Sequence, residues 1–155
     1  MTGSTAAERL AALGLTLPPV AAPVAAYVPV VRTGNHVYTS GQLPFVDGKL
    51  QGSGKVGDAV TPEEAASLAR IAALNALAAA ASAAGGLDAI VRVVKVTCFV
   101  ASSPGFTGQA QVANGASELL IEVLGEAGRH ARSAVGMAVL PLDSPVEVEL
   151  IAEIA

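Results

Sequence analysis

The stretch from Thr61 to Gly86 constrains the fold more than any other part of the chain. Thr61 can cap a helix with its hydroxyl, Pro62 is tolerated at the first helical position, and Glu63 and Glu64 face the positive end of the helix dipole. The helix then runs through Ala and Leu to Ala84 and stops at Gly85-Gly86. Leu68, Ile71, Ala72 and Ala79 fall near one face, with little bulk anywhere on the surface. A helix this smooth packs closely on a flat partner, so a sheet is expected beneath it.

The remaining elements supply that sheet. Ser4-Thr5 before Ala6-Ala7-Glu8-Arg9-Leu10 predicts a short helix to about Gly14, and Pro18, Pro19 and Pro23 enforce an extended connection after it. Tyr27 to Arg32 and His36 to Thr39 read as a hairpin turned at Gly34-Asn35, followed by a weak strand at Lys49 to Gln51. Ile90 to Val100 is rich in β-branched residues, with Arg92 and Lys95 at more exposed positions. A second helix is expected over Ala113 to Leu124, closed at Gly125, and then strands at Ser133 to Leu140 and Val146 to Ile154. This order makes an α+β domain, two long helices on one face of a mixed sheet, with nothing in the chain to cover the other face. One domain spans residues 1–155, with 1–17 as a helical extension.

Composition bears on the uncovered face. The hydrophobic class makes up 52% and charged residues 14%, which is more apolar surface than a lone small domain easily hides and favours an oligomer. The alternative is that the excess is Ala, which sits cheaply on a surface. A net charge of −4 offers no attraction to a phosphate backbone, so no nucleic-acid partner is expected. Met1 to Leu15 lacks the basic start and apolar stretch of a signal peptide, and no long apolar run escapes interruption, so the protein is expected to be cytoplasmic, without a membrane partner. The single cysteine, Cys98, rules out an internal disulfide and reads best as a buried inert thiol. His36 and His130 have no ligand-spaced partners, so no metal and no cofactor are expected, and no phosphate-cradling motif is present.

Polar groups that interrupt apolar elements are few. Gly128-Arg129-His130-Ala131-Arg132-Ser133 enters an apolar strand, and a guanidinium at a strand start beside a hydroxyl suits a bidentate grip on a carboxylate. The competing reading of Arg132 is an interface or intramolecular ion pair at an element end. Glu147 and Glu149 alternate with Val146, Val148 and Leu150 and so share one sheet face, either as a solvated edge or, in a cleft, with one of them holding or activating a water. Ser40-Gly41-Gln42 ends a strand where glycine would let a ligand approach the backbone, or is a plain turn.

Taken together, Tyr27, Gly34-Asn35, Thr39-Ser40-Gly41-Gln42-Leu43-Pro44, Asn114, Arg132-Ser133, Leu140-Pro141 and Val146-Glu147-Val148-Glu149 resemble the RidA/YjgF (L-PSP-type) family from about Pro23 to the C-terminus. The resemblance implies a chorismate-mutase-like fold and a homotrimer whose sheets form an inner barrel, with three clefts between subunits. It also implies hydrolytic deamination of small 2-imino or enamine acids to 2-oxo acids and ammonia, without a cofactor. Arg132 and Glu147 then match the catalytic pair, the carboxylate anchor and the group near the water. Tyr27, Ser40, Gly41, Asn114, Arg132 and Ser133 match the substrate-binding set. Ala134 stands where many deaminase members carry cysteine and Gly136 where they often carry an acidic residue, so the GRHARSAVG stretch marks a distinct branch. The alternative function is a non-catalytic module that binds a small carboxylate. A ribonuclease fits the charge and the scarcity of aromatics poorly.

Overall fold

The computed structural model describes residues 3–20, 22 and 25–155; Pro23 lies outside them. The Ala-rich helix, α2 below, occupies Pro62–Ala84, and its capping box closes reciprocally between Thr61 and Glu64 at 3.1 and 3.3 Å. Gly85 ends it at φ +92°, a left-handed conformation that glycine adopts without cost. In chain order the elements are α1 Ala6–Ala12, β1 Val30–Thr33, β2 His36–Thr39, β3 Phe45–Val46, β4 Lys49–Leu50, α2, β5 Ile90–Ala101, α3 Gln109–Leu124, β6 Ala131–Met137 and β7 Val146–Ile154.

Five strands form one sheet in the order β1-β2-β7-β5-β6. β5 and β6 are parallel and joined through α3, and the other pairs are antiparallel, so the sheet is mixed. α2 and α3 lie together on one face. Val93, Val96, Cys98 and Val100 of β5 and Val146, Val148, Leu150, Ala152 and Ile154 of β7 pack beneath them. The smooth surface of α2 is used along one broad face: Ala65, Ala69, Ala72, Ala73, Ala76 and Leu77 are all fully buried. By length and mean hydropathy α2 could cross a membrane, but 56% of its most apolar window is covered by the rest of the domain, the pattern of a core helix.

Where α2 meets α3 the backbones nearly touch, because a Cβ on Gly115 would overlap the carbonyl of Ala66. The N-terminal extension is packed into the same core through Ala6 and Leu10, and Arg9 Nε donates to the Val123 carbonyl of α3 at 2.7 Å. Cys98 is fully buried, and burial pushes its thiol up to about 12 against the pull of the Arg132 charge.

Several boundaries differ from the sequence expectation. The first strand begins at Val30 rather than Tyr27, α3 begins one turn early at Gln109, and β6 covers Ala131–Met137 rather than Ser133 to Leu140. The weak strand at Lys49 is half of a second hairpin, β3–β4, turned at Asp47-Gly48 with φ +50° and +77°. Asn75 in the middle of α2 explains why the hairpin stays there: its Nδ2 donates to the carbonyls of Leu43 and Phe45, both at 3.0 Å.

No element among the described residues covers the opposite sheet face. It carries Val31 and Tyr38, 52% and 44% exposed, together with Lys95, Thr97, Phe99, Ser133, Glu147, Glu149 and Ile151. Large apolar side chains half exposed on a broad sheet face form a surface suited to burial.

Candidate functional site

Arg132 is the second residue of the edge strand β6, and its side chain leans onto α3. Ala110, Asn114 and Ser117 follow one another along a single face of that helix at i, i+4 and i+7. Their oxygens take the guanidinium: Nη1 donates to Asn114 Oδ1 at 2.8 Å and to Ser117 Oγ at 3.1 Å, and Nη2 donates to the Ala110 carbonyl at 3.3 Å. All three acceptors are neutral. The two ion pairs among the described residues, Arg70–Glu122 and Arg129–Glu126, leave Arg132 out, so the ion-pair reading does not hold within the chain. Nε and one hydrogen of Nη2 have no acceptor among the described residues, so two donors of the guanidinium remain for a ligand. Two open depressions border α3, one of them at the guanidinium. One of about 180 Å³ is lined by Ser117, Ile121, Arg129, His130 and Arg132, and one of about 290 Å³ runs between α2 and α3 past Asn114, Gly115 and Glu118.

Ser133 does not join this group. Successive strand residues point to opposite faces, so Ser133 lies on the uncovered face, where its hydroxyl accepts from Lys95 Nζ at 3.1 Å. The hydroxyl beside the guanidinium is that of Ser117. Sequence adjacency hid Ser117, although its spacing from Asn114 and Ala110 along one helix face carried the signal.

Glu147 also lies on the uncovered face, so within one chain the sheet separates it from Arg132. Burial, and secondarily the charge of Glu149, raises its carboxyl above the usual range. The Ser40-Gly41-Gln42 segment runs alongside β7: Gln42 exchanges both backbone hydrogen bonds with Val148, at 2.8 and 2.9 Å. A Cβ on Gly41 would stand 2.6 Å from Glu147 Oε2, so glycine here makes room for the carboxylate. Ser40 donates its hydroxyl to the Val28 carbonyl at 2.6 Å, which holds the Tyr27-Val28 segment beside it; Tyr27 is 55% exposed. The sequence-chosen residues thus fall into two groups, Arg132 with Asn114 at the helix layer, and Glu147 with Gly41, Ser40 and Tyr27 at the other face. Among the described residues no three His, Cys, Asp or Glu side chains gather to hold a metal ion.

Gly41→Ala tests the second group. The obstructed atoms are the flexible end of Glu147, so the fold should survive while the carboxylate swings away. Any reaction that depends on Glu147 is expected to slow about tenfold with an unchanged thermal midpoint, checked by steady-state rates beside thermal unfolding.

A mixed five-stranded sheet with two long helices on one face, and an edge-strand arginine bound to one of them, makes this an α+β protein with an arginine-centred candidate site. A family model described as "YjgF/chorismate mutase-like, putative endoribonuclease" matches residues 7–154, and the chain belongs to that family. Protein TCP17 of Trypanosoma cruzi is 46% identical over 149 residues, 96% of this chain and 93% of that protein. Among solved structures, Atu1372 of Agrobacterium tumefaciens, a protein with unknown function, is 48% identical with a TM-score of 0.90 over 97% of this chain and 92% of its own. A "putative endoribonuclease" of Shewanella oneidensis MR-1 is 38% identical with a TM-score of 0.94 over 97% of this chain and all of its own. Escherichia coli TdcF with bound serine is 25% identical with a TM-score of 0.65, over 88% and 94% of the two chains.

Proposed function

We propose that the protein hydrolyses small 2-imino or enamine acids to 2-oxo acids and ammonia, as a cytoplasmic homotrimer with its sites between subunits. The observation that carries this reading is the Arg132 guanidinium, fixed by three neutral oxygens and left without an ion-pair partner among the described residues. Such a group is ready for an anion, and its two remaining donors are available to a carboxylate. TdcF, which shares the fold, holds serine, an amino acid with a carboxylate of this kind.

Arg132 and Glu147 lie on opposite faces of the sheet, so a site containing both needs two copies of the chain. The half-exposed Val31 and Tyr38 supply a surface for that association, with the uncovered faces turned inward as a barrel. In such a cleft the Arg132 fork holds the substrate carboxylate, Asn114 holds the fork, and Ser40-Gly41 shapes the space around Glu147. A water adds its oxygen to the imine carbon while Glu147 carries the water's proton to nitrogen. The hydroxyl proton of the resulting carbinolamine follows the same route, and the C–N bond breaks with its electron pair to release ammonia. A carboxyl raised by burial is better matched to this shuttle near neutral pH than an ordinary one. The family's description mentions ribonuclease, but a net charge of −4 opposes an RNA backbone.

The test is ammonia release from freshly generated 2-iminopropanoate by the purified protein. Saturable release supports the reading. Pyruvate binding without release would select a non-catalytic carboxylate-binding module, and neither binding nor release would overturn both.

A further inference from the structure

His130 stands two residues before Arg132, half-buried, with both ring nitrogens engaged. Nδ1 lies 2.5 Å from the Gly128 carbonyl oxygen and Nε2 lies 2.9 Å from Ser117 Oγ. A carbonyl only accepts, so Nδ1 carries a hydrogen. Burial, with the Arg132 charge adding to it and the Gly128 carbonyl opposing it, moves the imidazole below its ordinary value and favours the neutral ring. Nε2 of a neutral ring with hydrogen on Nδ1 can only accept, so the Ser117 hydroxyl donates to it. Arginine only donates, so the same hydroxyl accepts from Nη1. The result is a chain of hydrogen bonds with one direction throughout: Arg132 to Ser117, Ser117 to His130, His130 to the Gly128 carbonyl. Its far end is fixed, because Gly128 is buried and a Cβ there would collide with the backbone of Leu120 and Ile121.

We propose that His130 is a positioning residue that, through the Ser117 hydroxyl, fixes the orientation of the Arg132 guanidinium for the ligand's carboxylate. By accepting the serine hydrogen, the ring keeps the oxygen's lone pair aimed at Nη1. Without it the hydroxyl rotates freely and the fork loses one of its three supports. The consequence for function rests on the reading of Arg132 as carboxylate anchor; the positioning itself does not.

Two readouts separate these levels. In ligand-free protein, exchange of the Arg132 Nη1 hydrogens, followed by NMR, should accelerate roughly tenfold in His130→Ala and in Ser117→Ala, the loss of about one hydrogen bond to a charged group. The double variant should be no faster than either single one, because both substitutions break the same chain. In turnover, KM for 2-iminopropanoate should rise about tenfold with kcat little changed. Unchanged exchange in the single variants, or a double variant equal to the product of the two, would overturn the proposal. So would a loss confined to kcat. A wild-type protein that neither binds pyruvate nor releases ammonia would remove the anchor reading, and the exchange measurement would still decide the positioning. Should His130→Ala fold poorly, His130→Phe keeps the bulk of the ring without an acceptor for the serine hydrogen and should show the same acceleration; unchanged exchange there would overturn the proposal.

Discussion

Arg132→Ala is expected to lower kcat/KM for 2-iminopropanoate by about a thousandfold while leaving the thermal midpoint within about 4 °C of wild type. Removing one partner of a desolvated, hydrogen-bonded charge pair costs about 2–5 kcal/mol, and about 4 kcal/mol is three decades in rate. Stability should hardly move, because the groups left behind are neutral. The Ser117 hydroxyl borders one open depression, Asn114 borders another and Ala110 is exposed, so water takes over their hydrogen bonds. Had Arg132 been half of a buried ion pair, truncation would have stranded a charge and cost stability instead. Arg132→Lys should fall between, since the ammonium keeps the charge but not the planar fork. Steady-state kinetics beside thermal unfolding checks all of this, and turnover within threefold of wild type in Arg132→Ala would remove the residue from the site.

The parts of this molecule that were legible in sequence are those whose signals are local. α2 begins and ends where its cap and its glycines place it, because Thr61, Pro62, Glu64 and Gly85 act on neighbouring backbone. The α3 start at Gln109 had no such sign: Gly108 offers no side-chain cap, and the Gln109 amide instead bonds Phe106 and Ser102. The β3–β4 hairpin is held by Asn75, thirty or more positions away, and no local pattern announces a tether of that length. The same division holds at the site. That Glu147 and Glu149 share a face follows from the period of a strand, and they do. Which residues meet Arg132 depends on how α3 lies over β6. Family resemblance supplied Asn114, adjacency suggested Ser133, and the tertiary contact is with Ser117. In sequence His130 is a histidine without metal-spaced partners, and its place in the site depends on a serine thirteen positions earlier.

Gly115→Ala should destabilise the protein by about 2 kcal/mol, against the direction that helix propensity dictates. In the interior of an isolated helix alanine is better than glycine by about 1 kcal/mol. Here the added methyl would overlap the carbonyl oxygen, carbonyl carbon and Cα of Ala66, all backbone atoms of a facing helix that cannot rotate aside. Relief requires α2 and α3 to separate, and both are pinned to the same sheet by fully buried residues such as Leu77, Leu119 and Leu120. Overpacking of this kind costs about 1–3 kcal/mol, and a backbone obstacle puts it at the upper end. Subtracting the propensity gain leaves about 2 kcal/mol, a fall of roughly 4–8 °C in thermal midpoint for a chain of this size. The displacement has a second consequence, because Ala110, Asn114 and Ser117 ride on α3. Moving that helix shifts all three supports of the Arg132 guanidinium at once, so KM should rise along with the fall in midpoint. A midpoint higher than wild type would mean that the two helices cross with room to spare, and Asn114 would then owe its place beside Arg132 to β6 rather than to the close seating of α3 on α2.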